Sequence, residues 1–163
     1  MCLVSIAQTY SEQSLRTNAK DLLSHAIEHS SLGLPFDLLV AATHVGDALE
    51  LFLKYCISSL FPELKQEEIK EMNPTSMLKF LPTFLPWLDL PRALPHQNFH
   101  SKDPFQEELR KAYRMRNFAV HAALPPQNPN LIYNIELVGD FVNQAEAQLN
   151  TEKQASSSRM AKK

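Results

Sequence analysis

Apolar residues recur every three or four positions through most of this chain, and glycine interrupts them only at Gly33, Gly46 and Gly139. That period matches a helical turn of about 3.6 residues, not the two-residue alternation of a strand. Helices patterned this way must bury their apolar faces against one another. We therefore expect an all-α fold, an up-and-down bundle of four main helices plus short extra helices.

The first helix is expected from about Glu12 to Ser31, with Leu15, Ala19, Leu22, Leu23, Ala26 and Ile27 as its apolar stripe and Gly33 as its stop. Pro35 suits the first turn of a second helix running to about Leu60. Its polar residues His44, Asp47, Glu50 and Lys54 share one narrow face, which reads as an ion-paired, solvated or interface face. Short helices are expected over Glu63–Met72 and Ser76–Leu81. Pro82, Pro86, Pro91 and Pro95 then imply an irregular connection carrying Trp87, because proline removes a backbone donor and breaks long helices. Phe80, Phe84 and Trp87 read as packing residues. Asp103-Pro104-Phe105-Gln106 is a helix-start signature, with Asp103 as N-cap, and this helix runs to about Ala123, before Pro125-Pro126. The last helix spans roughly Leu131 to Glu152, with Leu131, Ile135, Val138, Val142, Ala145 and Leu149 at helical spacing. A strand over Leu131–Val138 fits that spacing less well.

With 163 residues, the chain suits a single helical domain over residues 1–153, followed by a Ser/Lys-rich tail, 154–163, expected to be disordered. A net charge of -2 leaves no global field to attract nucleic acid, so any such contact needs a local patch. Cys2 and Cys56 lie far apart and form no metal-ligand pair, and we read them as free thiols in a reducing compartment. Met1–Tyr10 makes an unconvincing signal peptide, and no apolar run approaches the ~18 residues of a membrane span. A cytoplasmic protein without membrane contact is expected. His25 and His29, and likewise His96 and His100, have the spacing of a metal pair but lack the rest of a zinc pattern, so they read as surface histidines. No metal and no cofactor are expected.

The helix after Pro104 carries the chemistry. Phe105, Leu109, Ala112, Tyr113 and Val120 define its core stripe, and Arg116 falls on that stripe. An arginine there is costly unless paired or facing a cleft. Arg110, Arg114, Asn117 and His121 form a second, polar stripe. With Lys111, the cations Arg110 and Arg114 make a local basic patch suited to RNA backbone. The imidazole of His121 can take a proton from a ribose 2′-hydroxyl or donate one to a leaving 5′-oxygen. The planar fork of Arg116 can clamp a phosphate, and Asn117, one turn before His121, can orient the ring. The ordinary reading of the pair is an arginine at a helix edge and a histidine favoured by a helix C-terminus. On an ideal helix Arg116 and His121 point roughly 140° apart. Two copies facing across a twofold axis would bring both pairs to one cleft. The apolar residues Met115, Phe118 and Ala122, off the main stripe, suit such a contact.

The run Arg116-Asn117-Phe118-Ala119-Val120-His121, an arginine, a polar residue, three more residues and a histidine late in a helix, resembles the HEPN family (higher eukaryotes and prokaryotes nucleotide-binding domains). The stretch Ala48-Leu49-Glu50-Leu51-Phe52-Leu53-Lys54 resembles that family's second helix, and the likeness in helix order covers roughly Leu15 to Leu149. The resemblance implies a small α-helical homodimer with an RNA-cleaving cleft at its interface. It implies a metal-independent endoribonuclease of toxin or phage-defence type, with Arg116, Asn117 and His121 catalytic. Asp47 and Glu50 would then support the cleft from behind the residues that touch RNA. The alternative is a non-catalytic HEPN module binding RNA, a nucleotide or a partner protein, such as an antitoxin or nucleotidyltransferase. A third reading is a dimeric interaction scaffold with no nucleic-acid role. One toxin subgroup has a tyrosine two residues after the histidine. Ala123 stands there, which counts against control through modification of that tyrosine.

Overall fold

The computed structural model describes residues 11–84 and 104–160, with side chains described over 11–79 and 106–155. Every secondary-structure element among the described residues is a helix: α1 (Glu12–Leu32), α2 (Pro35–Leu60), α3 (Gln66–Glu71), α4 (Pro74–Phe84), α5 (Pro104–Ala122) and α6 (Asn128–Met160). The fold is all-α. No described helix is long and apolar enough to cross a membrane.

Local sequence sets the helix ends. Ser11 caps α1 by accepting the Ser14 backbone N–H at 3.1 Å, and Gly33 ends it at φ 69°, the left-handed conformation that glycine adopts without strain. Pro35 opens α2 as expected. Asn73 Oδ1 accepts the Thr75 N–H at 2.8 Å, so α4 begins earlier than Ser76, and it continues past Leu81 and Pro82 to Phe84. The charged short helix is only Gln66–Glu71. α5 stops at Ala122, and Ala123 takes φ 50° instead of extending it. α6 starts at Asn128 and runs to Met160, well past Glu152, so residues 154–160, expected as disordered tail, continue a helix. The expected Asp103 cap, the proline-rich connection with Trp87, the His96/His100 pair and Cys2 lie outside the described residues.

The four long helices pack in antiparallel pairs. Gly33 and Leu34 turn α1 directly into α2. Toward its start, α1 meets the later part of α6. Glu12 pairs with Lys153, while Arg16 and Lys20 both bind Glu146, the latter at 2.6 Å. Further along α1, Leu23 faces Gly139. Arg116 on α5 reaches Asp47 on α2, and Tyr113, one turn earlier on α5, faces Glu50, one turn later on α2. These pairings place the α1–α2 turn and the α5–α6 loop at one end of the molecule.

The core contains all six residues expected from α6, from Leu131 to Leu149, each buried. Phe52 of α2 meets Phe141 of α6 edge to face at 5.6 Å between ring centroids, the arrangement that aromatic quadrupoles favour. Cys56 is buried in the same core, and burial pushes its thiol well above the ordinary range. Two stripe assignments are corrected: Ile27 on α1 and Val120 on α5 are exposed, while Ala26 and Ala119 beside them turn inward.

The polar face of α2 is ion-paired at Asp47, Glu50 and Lys54, of which Lys54 is buried and the two carboxylates stay partly exposed. Lys54 is 3% exposed, and its ammonium donates to Glu50 Oε1 at 2.8 Å and to the Lys70 carbonyl oxygen at 3.0 Å. The Lys54 ammonium thus ties α2 to the C-terminal carbonyls of α3, where a cation is favoured.

Candidate functional site

Arg116 lies over Gly46. A Cβ at position 46 would overlap both Cβ and Cγ of Arg116, well inside van der Waals contact. The missing side chain therefore lets α5 approach α2 closely enough for the guanidinium to reach the next residue, Asp47. Arg116 Nε donates to Asp47 Oδ1 at 3.0 Å, and Nη1 donates to Asn117 Oδ1 at 3.3 Å. The guanidinium carbon stands 5.9 Å from the Tyr113 ring centroid, within cation–π range. Among the described residues the remaining terminal nitrogen, Nη2, makes no bond. The sequence left the cost of an arginine on the core stripe open, and the structure answers it with a carboxylate on the facing helix.

Of the two acidic residues expected as support, Asp47 binds Arg116 directly and Glu50 binds Lys54. Glu50 nevertheless faces Tyr113, whose phenol is pushed above its ordinary value by burial and then by that carboxylate. His121 is exposed at the end of α5, four residues after Asn117, and makes no bond among the described residues. A single chain therefore brings Arg116, Asn117 and Asp47 together, while His121 shares a helix face with Asn117 and not with Arg116.

The basic patch is weaker than three cations imply. Arg110 pairs with Glu107 at 2.8 Å and Lys111 with Glu108 at 2.5 Å, each three residues back along α5. Among the described residues only Arg114 of the three lacks an ion-pair partner. Glu107 and Glu108 lie just upstream of the acid-free run from Arg110 to His121.

Three imidazoles gather beside the site. His44 stands 5.9 Å from His25 and 5.8 Å from His29 between ring centroids, and His29 Nδ1 lies 2.9 Å from Asp37 Oδ1. Burial, then the charges of His29 and His25, lowers the His44 imidazole below its ordinary value, while Asp47 pulls it up. His44 Nδ1 is buried without a hydrogen-bond partner. Among the described residues no three His, Cys, Asp or Glu side chains, these imidazoles included, are placed so as to hold a metal ion, and His25 is exposed. The sequence flagged His25 and His29 by spacing but not their approach to His44, which depends on the α1–α2 turn.

The described large apolar residues that remain exposed are Ile27, Leu32, Leu34, Phe36, Phe118, Val120, Leu124 and Ile132. All lie on residues 27–36 or 118–132, and the antiparallel pairings put those segments at one end of the molecule. Of the three residues expected for a dimer contact, Phe118 and Ala122 are exposed there, whereas Met115 packs against the core. Glu108 was missed altogether: it is 1% exposed and accepts hydrogen bonds from Tyr133 Oη at 2.9 Å and Lys111 Nζ at 2.5 Å. Its position next to Leu109, at the edge of the buried face, is the only hint the sequence offers.

Compared with known proteins, the chain matches no protein-family model, no curated protein and no solved structure.

Proposed function

We propose that the chain is a metal-independent endoribonuclease of toxin or phage-defence type, acting in the cytoplasm as a homodimer with an HEPN-like bundle. The observation that carries this reading is the Asp47–Arg116–Asn117 arrangement, one helical turn from a His121 that is exposed and, among the described residues, unbonded. Asp47 fixes Nε of the guanidinium, so Nη2 remains available to a phosphate oxygen as charge builds on it. The His121 imidazole would take the ribose 2′-hydroxyl proton and return one to the leaving 5′-oxygen. The oxygen–phosphorus bond to the 2′-oxygen forms as the bond to the 5′-oxygen breaks, leaving a 2′,3′-cyclic phosphate and a 5′-hydroxyl. A second copy docked on the exposed apolar residues of the α1–α2 turn, Ile27, Leu32, Leu34 and Phe36, would supply the facing pair that one helix cannot provide.

The divergence of Arg116 and His121 in one chain favours a second reading: a non-catalytic module that binds RNA, a nucleotide or a nucleotidyltransferase partner. Incubating structured RNA with the protein in EDTA separates the two. The ribonuclease cleaves without metal, and His121→Ala lowers the rate by about 10²- to 10⁴-fold, the usual contribution of a general acid or base. Wild type inert toward diverse RNAs, or His121→Ala cutting as fast as wild type, leaves the binding module in its place.

A further inference from the structure

A cavity of about 550 Å³ opens between α5 and the first turns of α6, within the range of small-ligand sites. None of Arg116, Asn117 and His121 lines it. Part of the lining is apolar, with Phe118 and Leu124 both largely exposed. The rest of the lining is largely polar and includes a buried carboxylate. Glu108 fixes both the Tyr133 hydroxyl and the Lys111 ammonium on the lining. A carboxylate held in the interior costs several kcal/mol of desolvation unless paired and hydrogen-bonded, and here both oxygens are used to orient cavity groups. Asn134 is 6% exposed, yet among the described residues nothing holds its carboxamide more firmly than a 3.8 Å contact from its nitrogen to Met115 Sδ. Asn130 adds a second, exposed carboxamide. Arg114, without an ion-pair partner among the described residues, stands at the rim. Two cations, Lys111 and Arg114, against one carboxylate, Glu108, leave the lining net positive.

Flat apolar surface, paired donors and acceptors on carboxamides, and an unpaired guanidinium at the rim are what one unpaired nucleotide requires. We propose that this cavity takes a flipped-out base of the RNA strand, stacked on Phe118, with its edge met by Asn130 and Asn134 and its phosphate by Arg114. The site rests on the RNA reading above and gives it a substrate class: single-stranded or bulged RNA, not continuous duplex. Its position fits that role. Phe118 and His121 are three residues apart on α5, and Arg114 and Asn117 likewise, so each pair neighbours on the helix surface. A strand laid along α5 with one base in the cavity passes its backbone across His121.

The test is binding, read apart from cleavage. Fluorescence anisotropy in EDTA compares a labelled unstructured RNA with a fully paired duplex of the same sequence, using wild type, Phe118→Ala, Phe118→Trp and Asn130→Ala. Phe118 and Asn130 are exposed, so these changes leave the core intact. Wild type should prefer the unstructured RNA. Phe118→Ala should weaken that binding by about 5- to 150-fold, the range for stacking one base on an aromatic ring, and leave duplex binding unchanged. Phe118→Trp should restore it, and Asn130→Ala should weaken it for some bases more than others. Phe118→Ala binding single strands as tightly as wild type overturns the proposal, even if the protein cleaves RNA. The expected binding pattern without any cleavage supports the cavity and removes the ribonuclease. No RNA binding by wild type removes both.

Discussion

Replacing Gly46 with alanine should loosen the packing that positions Arg116. In a helix interior the change ordinarily stabilises by about 1 kcal/mol, because alanine is the better helix former. Here the new Cβ would overlap Arg116 Cβ, an atom fixed by the α5 backbone. No rotamer of Arg116 relieves that, so α2 and α5 must part by about 1 Å or more to reach ordinary carbon–carbon distances. Overpacking of this kind costs about 1–3 kcal/mol, and contact between two backbone-fixed atoms belongs at the upper end. The net expectation is a loss of about 1–2 kcal/mol, or a Tm lower by roughly 2–8 °C for a chain of this size. Urea unfolding followed by helical circular dichroism measures it, with Gly139→Ala as internal control. A Cβ at Gly139 would sit 3.7 Å from Leu23 Cδ2, an ordinary contact, so that variant should gain stability from helix propensity. Arg116→Ala retains the overlapping Cβ and should not rescue Gly46→Ala, whereas Arg116→Gly should. A Gly46→Ala protein as stable as Gly139→Ala would refute the close approach of α2 and α5 at Arg116.

Other expectations follow from the same geometry. Because the folded His44 imidazole titrates below its ordinary value of 6.5, the unfolded chain binds its proton first as pH falls. Stability should therefore drop as pH falls below about 6.5 and level off below the folded value. In Tm measurements from pH 7.5 to 5, a His44→Gln curve no flatter than wild type counts against the cluster. Ala123→Gly should raise stability by about 1 kcal/mol, because φ 50° is strained for alanine and free for glycine, and chemical denaturation reads it directly. Arg116→Ala should change stability little, since it removes a partly exposed pair with Asp47. Arg116→Lys should cut RNA far more slowly than wild type, because one ammonium cannot hold Asp47 through one nitrogen and offer a second, fixed nitrogen to phosphate, and equal rates would exclude that role for the guanidinium.

Helix number and most helix ends were legible because they depend on local signals: Gly33 and Pro35 act within a turn of themselves. The buried face of α6 was legible for the same reason, its period being unbroken from Leu131 to Leu149. α5 misled by one residue, placing Val120 inward instead of Ala119. Its exposed residues are also apolar, so periodicity alone does not centre the stripe. The pairing of Arg116 with Asp47 was partly legible, since an arginine on an apolar face needs a carboxylate, and Asp47 lies on a polar face of the helix most suited to supply one. The role of Gly46 and the burial of Glu108 were not. Each depends on how closely two helices far apart in sequence approach, which no local pattern encodes. The neutralisation of Arg110 and Lys111 needed only a wider window along α5, three residues upstream.

Lys54 bears on how this protein opens. α3 has six residues, far fewer than a helix needs to persist alone in water, and of it Ile69 is buried. The hydrogen bond from the Lys54 ammonium to the Lys70 carbonyl therefore acts as a latch on a segment with little cohesion of its own. Such a segment exchanges its amide hydrogens with solvent through small excursions while the long helices stay closed. Neutralising the latch, by Lys54→Met or by acetylation of the amine during a transient opening, would speed exchange across residues 66–71 long before global unfolding. The polar face of α2 would then be uncovered from Lys54 toward Glu50, one turn from the carboxylate that holds Arg116.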